Sequence, residues 1–356
     1  MKRLACGAAL LCLARAVIPA QPPPVSSWRF AVSGDSRNCG DIVMPAIAAG
    51  VRSSGAEFYW HLGDFRMTYG VDEDMAPPAK LGLPATHMTL AEYQQGVAWT
   101  DFIDHQMTPF ADLPVFLTPG NHETIPPFTR DRYLIEFADW LDNPLLRAQR
   151  LRDDPRDRRL RAYYHWVNRN VDFIALDNAS QDQFDDAQLR WFHSVLDRDA
   201  ASSEIATIVV GMHAALPGSV GADHSMSNWA QGEKSGREVY EALWRVESQS
   251  RKRVYVLASH SHFYMEDVFR TEQWKNRVLP GWIVGTAGAV RFRLPAATGS
   301  NRKAMTDVYG YLLASAAKDG SIYFSFVQFS LDELRRVNQG KYPDKLLRWC
   351  FEENKR

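Results

Sequence analysis

The chain of 356 residues carries almost no net charge, with 41 Lys and Arg against 42 Asp and Glu for a formal −1. Such a balance offers no basic surface for coating nucleic acid. Cysteine is scarce: of four, Cys6 and Cys12 fall within the first twenty residues, and only Cys39 and Cys350 remain beyond them. Two cysteines do not make a disulfide framework, and their spacing leaves open whether they pair or stay as thiols. No internal repeat is visible. No segment after the first twenty residues is apolar enough to cross a membrane, and the run 4–13 at the start is itself too short to do so. That run follows Lys2 and Arg3 and leads through small residues to Ala20 and then Gln21-Pro22-Pro23-Pro24. Residues 1–20 therefore read as a secretory signal peptide and 21–27 as a linker, which predicts a secreted or periplasmic protein.

What the chain does have is apolar mass, 46% hydrophobic residues with 11 Trp, enough for a sizeable core. Strand-like and helix-like patterns alternate along it, which predicts an α/β fold. Residues 41–51 read as the first crossover helix, with Asp41 as N-cap and Ile42, Ala46 and Ala49 on one face. Residues 66–94 hold several acids and three prolines without a clean period, and read as an inserted loop or cap; 90–107 then look helical. Residues 126–161 read as a second irregular region. Its end, 147–161, mixes arginines with Asp153, Asp154 and Asp157, and reads as a solvated, internally paired segment rather than a positive rim. Residues 183–197 read as a helix and 218–236 as a loop rich in Gly and Ser. Residues 282–287 and 321–329 read as strands of a second sheet, 331–337 as a short helix, and the charged tail from 340 as a surface segment.

Five short segments give this pattern a chemical meaning. They are Gly34-Asp35-Ser36-Arg37, Gly63-Asp64, Gly120-Asn121-His122-Glu123, His213, and Ser259-His260-Ser261-His262. Each follows an apolar run that reads as a buried strand: 29–33, 58–62, 115–118, 207–211 and 253–258. Carboxylate, amide and imidazole groups at successive strand ends converge on one edge of a sheet, where α/β proteins place their sites. The mixture of oxygen and nitrogen donors suits one or two ions of Zn, Mn or Fe. Alone, Asp35 or Asp64 is an ordinary turn residue, His213 an ordinary buried histidine, and Asn121 commonplace after glycine. Together and in order they define a site.

The order and spacing resemble the calcineurin-like metallophosphoesterase superfamily, which includes the purple acid phosphatases. The resemblance covers residues 28–330 and rests on the blocks D-x-H, GD, GNH-E/D, a lone His after a strand, and GH-x-H. The stretches 171–178 (VDFIALDN) and 283–289 (IVGTAGA) give softer support. It implies a four-layer α/β/β/α sandwich of two mixed sheets. It also implies a ligand set: Asp64 bridging two metals, Asn121, His213 and His260 on the second, and Asp35 and His262 on the first. His122 would stand over the site as general acid or transition-state donor, and Glu123 would orient it. Asn121 and Arg37 would touch substrate, and His224, in the loop after His213, is a further candidate. The implied activity is hydrolysis of small phosphoesters, monoester or diester, by metal-activated water. The alternative is a catalytically impaired protein of the same fold that binds a phosphorylated ligand. Oligomeric state stays open.

The sequence departs from the family at two points. Arg37 stands where the first metal would take a histidine, and guanidinium offers donors only. Purple acid phosphatases use a tyrosine three residues after the GD aspartate, but that position is Met67 here, and Tyr69 comes two residues later. Three readings follow: a weakened first metal, a single metal with Arg37 as fixed cation beside it, or an anion site without turnover. The second departure is Ser259 in place of glycine, which predicts ordinary backbone angles there.

Overall fold

The computed structural model describes residues 28–84, 86–180, 183–221, 224–299 and 303–356. The segment read as signal peptide and linker lies outside them. Twelve strands occur among the described residues: β1 (Trp28–Ser33), β2 (Tyr59–His61), β3 (Val115–Leu117), β4 (Tyr164–Asn168), β5 (Val171–Ala175), β6 (Thr207–Gly211), β7 (Arg253–Ala258), β8 (Tyr264–Glu266), β9 (Gly281–Val284), β10 (Ala304–Met305), β11 (Gly310–Ala316) and β12 (Ile322–Gln328). They form a five-stranded sheet, β12-β11-β1-β2-β3, and a seven-stranded sheet, β10-β8-β9-β7-β6-β5-β4. Both are mixed: β1, β2 and β3 run parallel, with β11 antiparallel to β1 and β12 to β11, and β5, β6, β7 and β9 run parallel, with β4 antiparallel to β5 and β8 to β9.

Three cores account for the layering. Trp28, Phe30 and Val32 of β1 and Trp60 of β2 point inward against Trp166, Phe173, Val209 and Leu257 of the other sheet. Their neighbours Ala31 and Tyr59 point outward, against Ile42, Ile47 and Val51 of the helix Gly40–Ser53. On the far side Ile208, Val210 and Val256 meet Phe192 and Leu196 of the helix Asp186–Ala201 and Tyr240 and Leu243 of the helix Ala230–Ser250. Strands buried on both faces read as continuous apolar runs rather than alternating ones, which is why β6 and β7 coincide with the runs seen in the sequence. The result is the expected helix–sheet–sheet–helix sandwich. No helix among the described residues is long and apolar enough to cross a membrane.

Several local expectations are corrected. Residues 282–287 and 321–329 do not share a sheet: β9 joins β7, whereas β12 forms a hairpin with β11, which pairs with β1. The strand β11, unrecognised in the sequence, draws the C-terminal hairpin back to the first sheet. Residues 126–161 are largely helical, with helix Arg130–Glu136 capped by the side chain of Thr129, a short helix Ala138–Leu141, and helix Pro144–Asp153 capped by that of Asn143. The charges of 147–161 pair only in part within the segment: Arg161 pairs with Asp157, but Arg147 and Arg150 reach back to Asp142 and Asp153 pairs with His165 and Arg198. The loop after His213 is shorter than 218–236, because a helix begins at Ala230.

Asp41 is not an N-cap. The helix starts at Gly40, and the Asp41 carboxylate turns to Arg66. Arg66 is buried among Asp41, Asp72, Asp74 and Asp101. Asp72 in turn accepts from the backbone of Asn38 and Met67. This nest ties residues 66–74 onto the loop that follows β1. The tail is no surface appendage either. Leu346, Leu347, Trp349 and Cys350 are buried, and Cys350 forms a disulfide with Cys39 across 311 residues of sequence. Arg291 donates to the carbonyls of Cys350 and Asn354 at 3.2 Å each, fastening the same segment.

Candidate metal centre

All five segments meet at one edge, where β1, β2, β3, β6 and β7 end. Asp35, Asp64 and His260 each take left-handed backbone angles, with φ of 60°, 59° and 63°. Non-glycine residues held there cost on the order of 1–3 kcal/mol each and cluster at functional sites. The turns turn the chain sharply at the strand end, so that side chains face the neighbouring loops. Two glycines let those loops approach. A Cβ on Gly63 would lie 2.4 Å from the Gly120 nitrogen, and one on Gly120 would lie 2.3 Å from Asp64 Oδ1. Ser259 has ordinary angles, as expected, and its hydroxyl donates to the Leu62 carbonyl at 3.0 Å.

One group of donors surrounds His213 Nε2. Asn121 Oδ1 lies at 3.0 Å, Asp64 Oδ1 at 3.2 Å and His260 Nδ1 at 2.9 Å. His213 Nδ1 donates to the Leu62 carbonyl at 2.8 Å, so Nε2 faces the group. A single proton on Nε2 can serve only one of three neighbours. Separations near 3 Å are those of adjacent ligands around one ion held at about 2.0–2.2 Å. The set Asp64, Asn121, His213 and His260 therefore fits a metal ion. Burial opposes charge on His213, but Asp64 and Asp35 raise it to about 10. The proton thus supplies the positive charge that the two carboxylates demand. Burial and the His213 charge keep His260 well below the ordinary value, hence neutral.

The second group is Asp35, Asp64 and His262. Asp35 Oδ2 accepts from the His260 N–H at 2.7 Å, which leaves Oδ1 turned inward. Asp35 Oδ1 and Asp64 Oδ2 are buried without a hydrogen-bond partner, the usual mark of a missing cation or water. Burial pushes Asp35 up, yet His262 and His213 hold it down at about 2. His262 Nδ1 donates to the Val290 carbonyl at 2.6 Å and aims Nε2 at Asp35 Oδ1, 3.2 Å away. Two lone pairs would face each other there but for Arg37, whose Nη2 donates to His262 Nε2 at 3.1 Å. Arg37 Nε lies 3.6 Å from Asp64 Oδ2, and Nη1 donates to the Tyr69 hydroxyl at 3.1 Å. The guanidinium thus stands on the open side of the second group.

His122 sits over both groups, its Nε2 3.7 Å from Asp64 Oδ2. Its Nδ1 accepts from the Thr68 N–H at 3.2 Å, and its ring is 5.2 Å from that of Tyr69. With Nδ1 accepting, the proton lies on Nε2. Burial lowers His122 to about 3, so the ring is a neutral donor. Glu123 does not touch the His122 ring, contrary to expectation. Its carboxylate accepts from the N–H groups of Asp64, Phe65 and Gly120 at 2.9, 2.9 and 2.7 Å. It braces the two loops, and Thr68 orients His122. Thr68 matches no motif and has no sequence signal. Tyr69 reaches the site, though by way of Arg37. The His224 ring lies 5.3 Å from that of His260, at the rim. His61, read as a core residue, is buried; Gly63 N–H donates to it at 3.1 Å and it bonds the Ser36 hydroxyl at 3.0 Å. A third carboxylate group with His105, Asp41 and Asp101, is filled by the Arg66 guanidinium.

No protein family matches the sequence, and no curated protein does. Solved structures do match by shape. A dimetal phosphatase from Danio rerio aligns over 86% of this chain and 100% of its own, at 12% identity and a TM-score of 0.50. PhoD aligns over 86% of this chain and 72% of its own, at 15% identity and a TM-score of 0.49. The fold is metallophosphoesterase-like, as the sequence motifs imply.

Proposed function

We propose that the protein is a metal-dependent hydrolase of phosphoesters. The observation that carries this reading is the convergence of Asp64, Asn121 and His260 on His213 Nε2, beside the two unpartnered carboxylate oxygens of Asp35 and Asp64. A bound ion supplies positive charge to the phosphoryl oxygens and lowers the pKa of a water. Asp64, Asn121, His213 and His260 would hold one such ion. Asp35, Asp64 and His262 offer a second position, made weaker by Arg37. The ion is Zn, Mn or Fe by its donor set.

Arg37 presents a planar fork to the phosphoryl oxygens, and Asn121 and His224 flank the same space. A water oxygen bonds to phosphorus as the bond from phosphorus to the leaving oxygen breaks. The water gives up a proton to solvent, and His122 Nε2–H donates a hydrogen bond to the departing oxygen. Thr68 keeps that proton on Nε2, and Glu123 keeps the loops of Asp64 and Asn121 in register. The substrate is a small phosphorylated molecule. Residues 1–20 support export, and so does the Cys39–Cys350 disulfide, since such bonds persist in oxidising compartments.

The test is hydrolysis of an aryl phosphomonoester and an aryl diester by metal-loaded protein, compared with His122→Ala. The variant keeps its metal and loses turnover by at least about 100-fold. A wild type that binds these esters without hydrolysing either is instead a phosphate-binding protein.

A further inference from the structure

Beside Arg37 the site opens into a cavity of about 220 Å³, lined among others by Met67, Tyr69, Glu73, Val290, Trp349 and Arg356. Two sides of it belong to the loop after β2 and the C-terminal segment. The far wall is fixed. The Cys39–Cys350 disulfide anchors it, Arg291 N–H donates to the Asn354 carbonyl at 3.1 Å, and Arg356 N–H donates to the Arg291 carbonyl at 2.9 Å. The near wall is Tyr69, a large side chain left 60% exposed. Its hydroxyl is held by Arg37 and its ring lies against His122.

We propose that this cavity receives the leaving group of the ester, and that Tyr69 selects planar aryl or heteroaryl leaving groups. The proposal rests on the phosphoesterase reading for the placement of the phosphoryl group. A substituent on the oxygen that departs beside His122 Nε2 meets the Tyr69 ring, which lies 5.2 Å from the His122 ring and whose hydroxyl Arg37 holds at the mouth of the cavity. Aromatic rings gain from offset or edge contact with one another beyond the area they bury. An exposed tyrosine whose hydroxyl is already bonded presents such a ring in fixed orientation. The cavity is smaller than the 300–1,000 Å³ typical of drug-sized ligands, so a single ring system fits and a polymer does not. The polar groups of the lining, Glu73 on the near side and Arg356 on the far side, suit a ring bearing a polar substituent.

The test uses the full metal-loaded protein and two non-hydrolysable ligands, phenylphosphonate and propylphosphonate, titrated calorimetrically. Wild type binds the aryl compound about tenfold tighter. Tyr69→Phe keeps that ratio, and Tyr69→Leu brings it close to one. In parallel, kcat/KM for phenyl phosphate relative to propyl phosphate follows the same order. A ratio near one in the wild type, a ratio unchanged in Tyr69→Leu, or no binding of either phosphonate overturns the proposal. Selective binding without turnover supports this subsite while refuting the hydrolase reading, so the two failures are distinct.

Discussion

Replacing Arg37 by histidine should raise the metal content of the protein from about one ion per chain toward two. The guanidinium donates to His262 Nε2, the lone pair that an ion between Asp35, Asp64 and His262 would need. It also lies 3.6 Å from Asp64 Oδ2. A cation entering this group must break that hydrogen bond and sit near a fixed positive charge. Two unit charges about 4 Å apart repel by about 4 kcal/mol at an effective dielectric of about 20, and a divalent ion doubles the term. Swinging Arg37 aside relieves part of it, so a loss of at least about 2.7 kcal/mol, or 100-fold in affinity, is the expected remainder. Histidine removes the charge and adds a nitrogen donor. Arg37→Ala removes the charge alone, and should recover part of the affinity. Elemental analysis after gel filtration counts tight ions, and calorimetric titration of chelated protein measures the weak one. Two equally tight ions in the wild type, with no change in either variant, would refute the reasoning.

Other perturbations probe the supports of the site. Glu123→Gln sets an amide N–H₂ against at least one of three backbone N–H donors, at a cost of about 1–3 kcal/mol for each donor left unmatched. Urea unfolding should show the loss, and metal binding should weaken with it; a variant as stable as wild type would mean that the brace is unimportant. Cys350→Ser should lower stability by about 2–5 kcal/mol, read as the urea midpoint, and reductant should then have no further effect on the variant. Stability should also fall in alkali. His165 lies between Asp153 and Asp172, at 2.5 and 2.7 Å, with Asp199 and Arg198 close by. Burial opposes its charge, but the two carboxylates raise it to about 10 from 6.5. A base raised by folding contributes fully below about 6.5 and loses that contribution as pH passes through about 10. Asp199, raised by burial and by Asp172 to about 8, acts in the same direction at lower pH. Urea midpoints from pH 6 to 10 should decline in the wild type and decline less in His165→Gln.

Much of the fold was legible where a strand is buried on both faces. Residues 207–211 and 253–258 are apolar runs with β-branched residues, and their ends coincide with β6 and β7. The helix Leu331–Val337 was equally plain, because Ser330 and Glu333 form a capping box ahead of it. The strand Gly310–Ala316 was not, although the Asp319-Gly320 turn follows it, since GYLLASA lacks the alternation that would separate it from a helix. Helices between 130 and 153 were obscured by charges that ion pairs satisfy only once the fold is formed. At the site, residue types at strand ends located Asp35, Asp64, Asn121, His213, His260 and His262. What sequence spacing cannot convey is which side chain orients which. Thr68 takes the orienting role expected of Glu123 because the GD loop folds over His122 through the nest around Arg66, a contact set by buried carboxylates far apart in sequence.

The central claim is tested most directly by the release of 4-nitrophenolate from the mono- and bis-(4-nitrophenyl) phosphates. Chelated protein would be compared with protein reloaded separately with Zn, Mn and Fe, and with His213→Ala treated alike. The account predicts no turnover after chelation, recovery with at least one of the ions on at least one ester, and neither tight metal nor turnover in His213→Ala. Reloaded wild type that holds an ion and hydrolyses neither ester, or chelated protein as active as before, would contradict it.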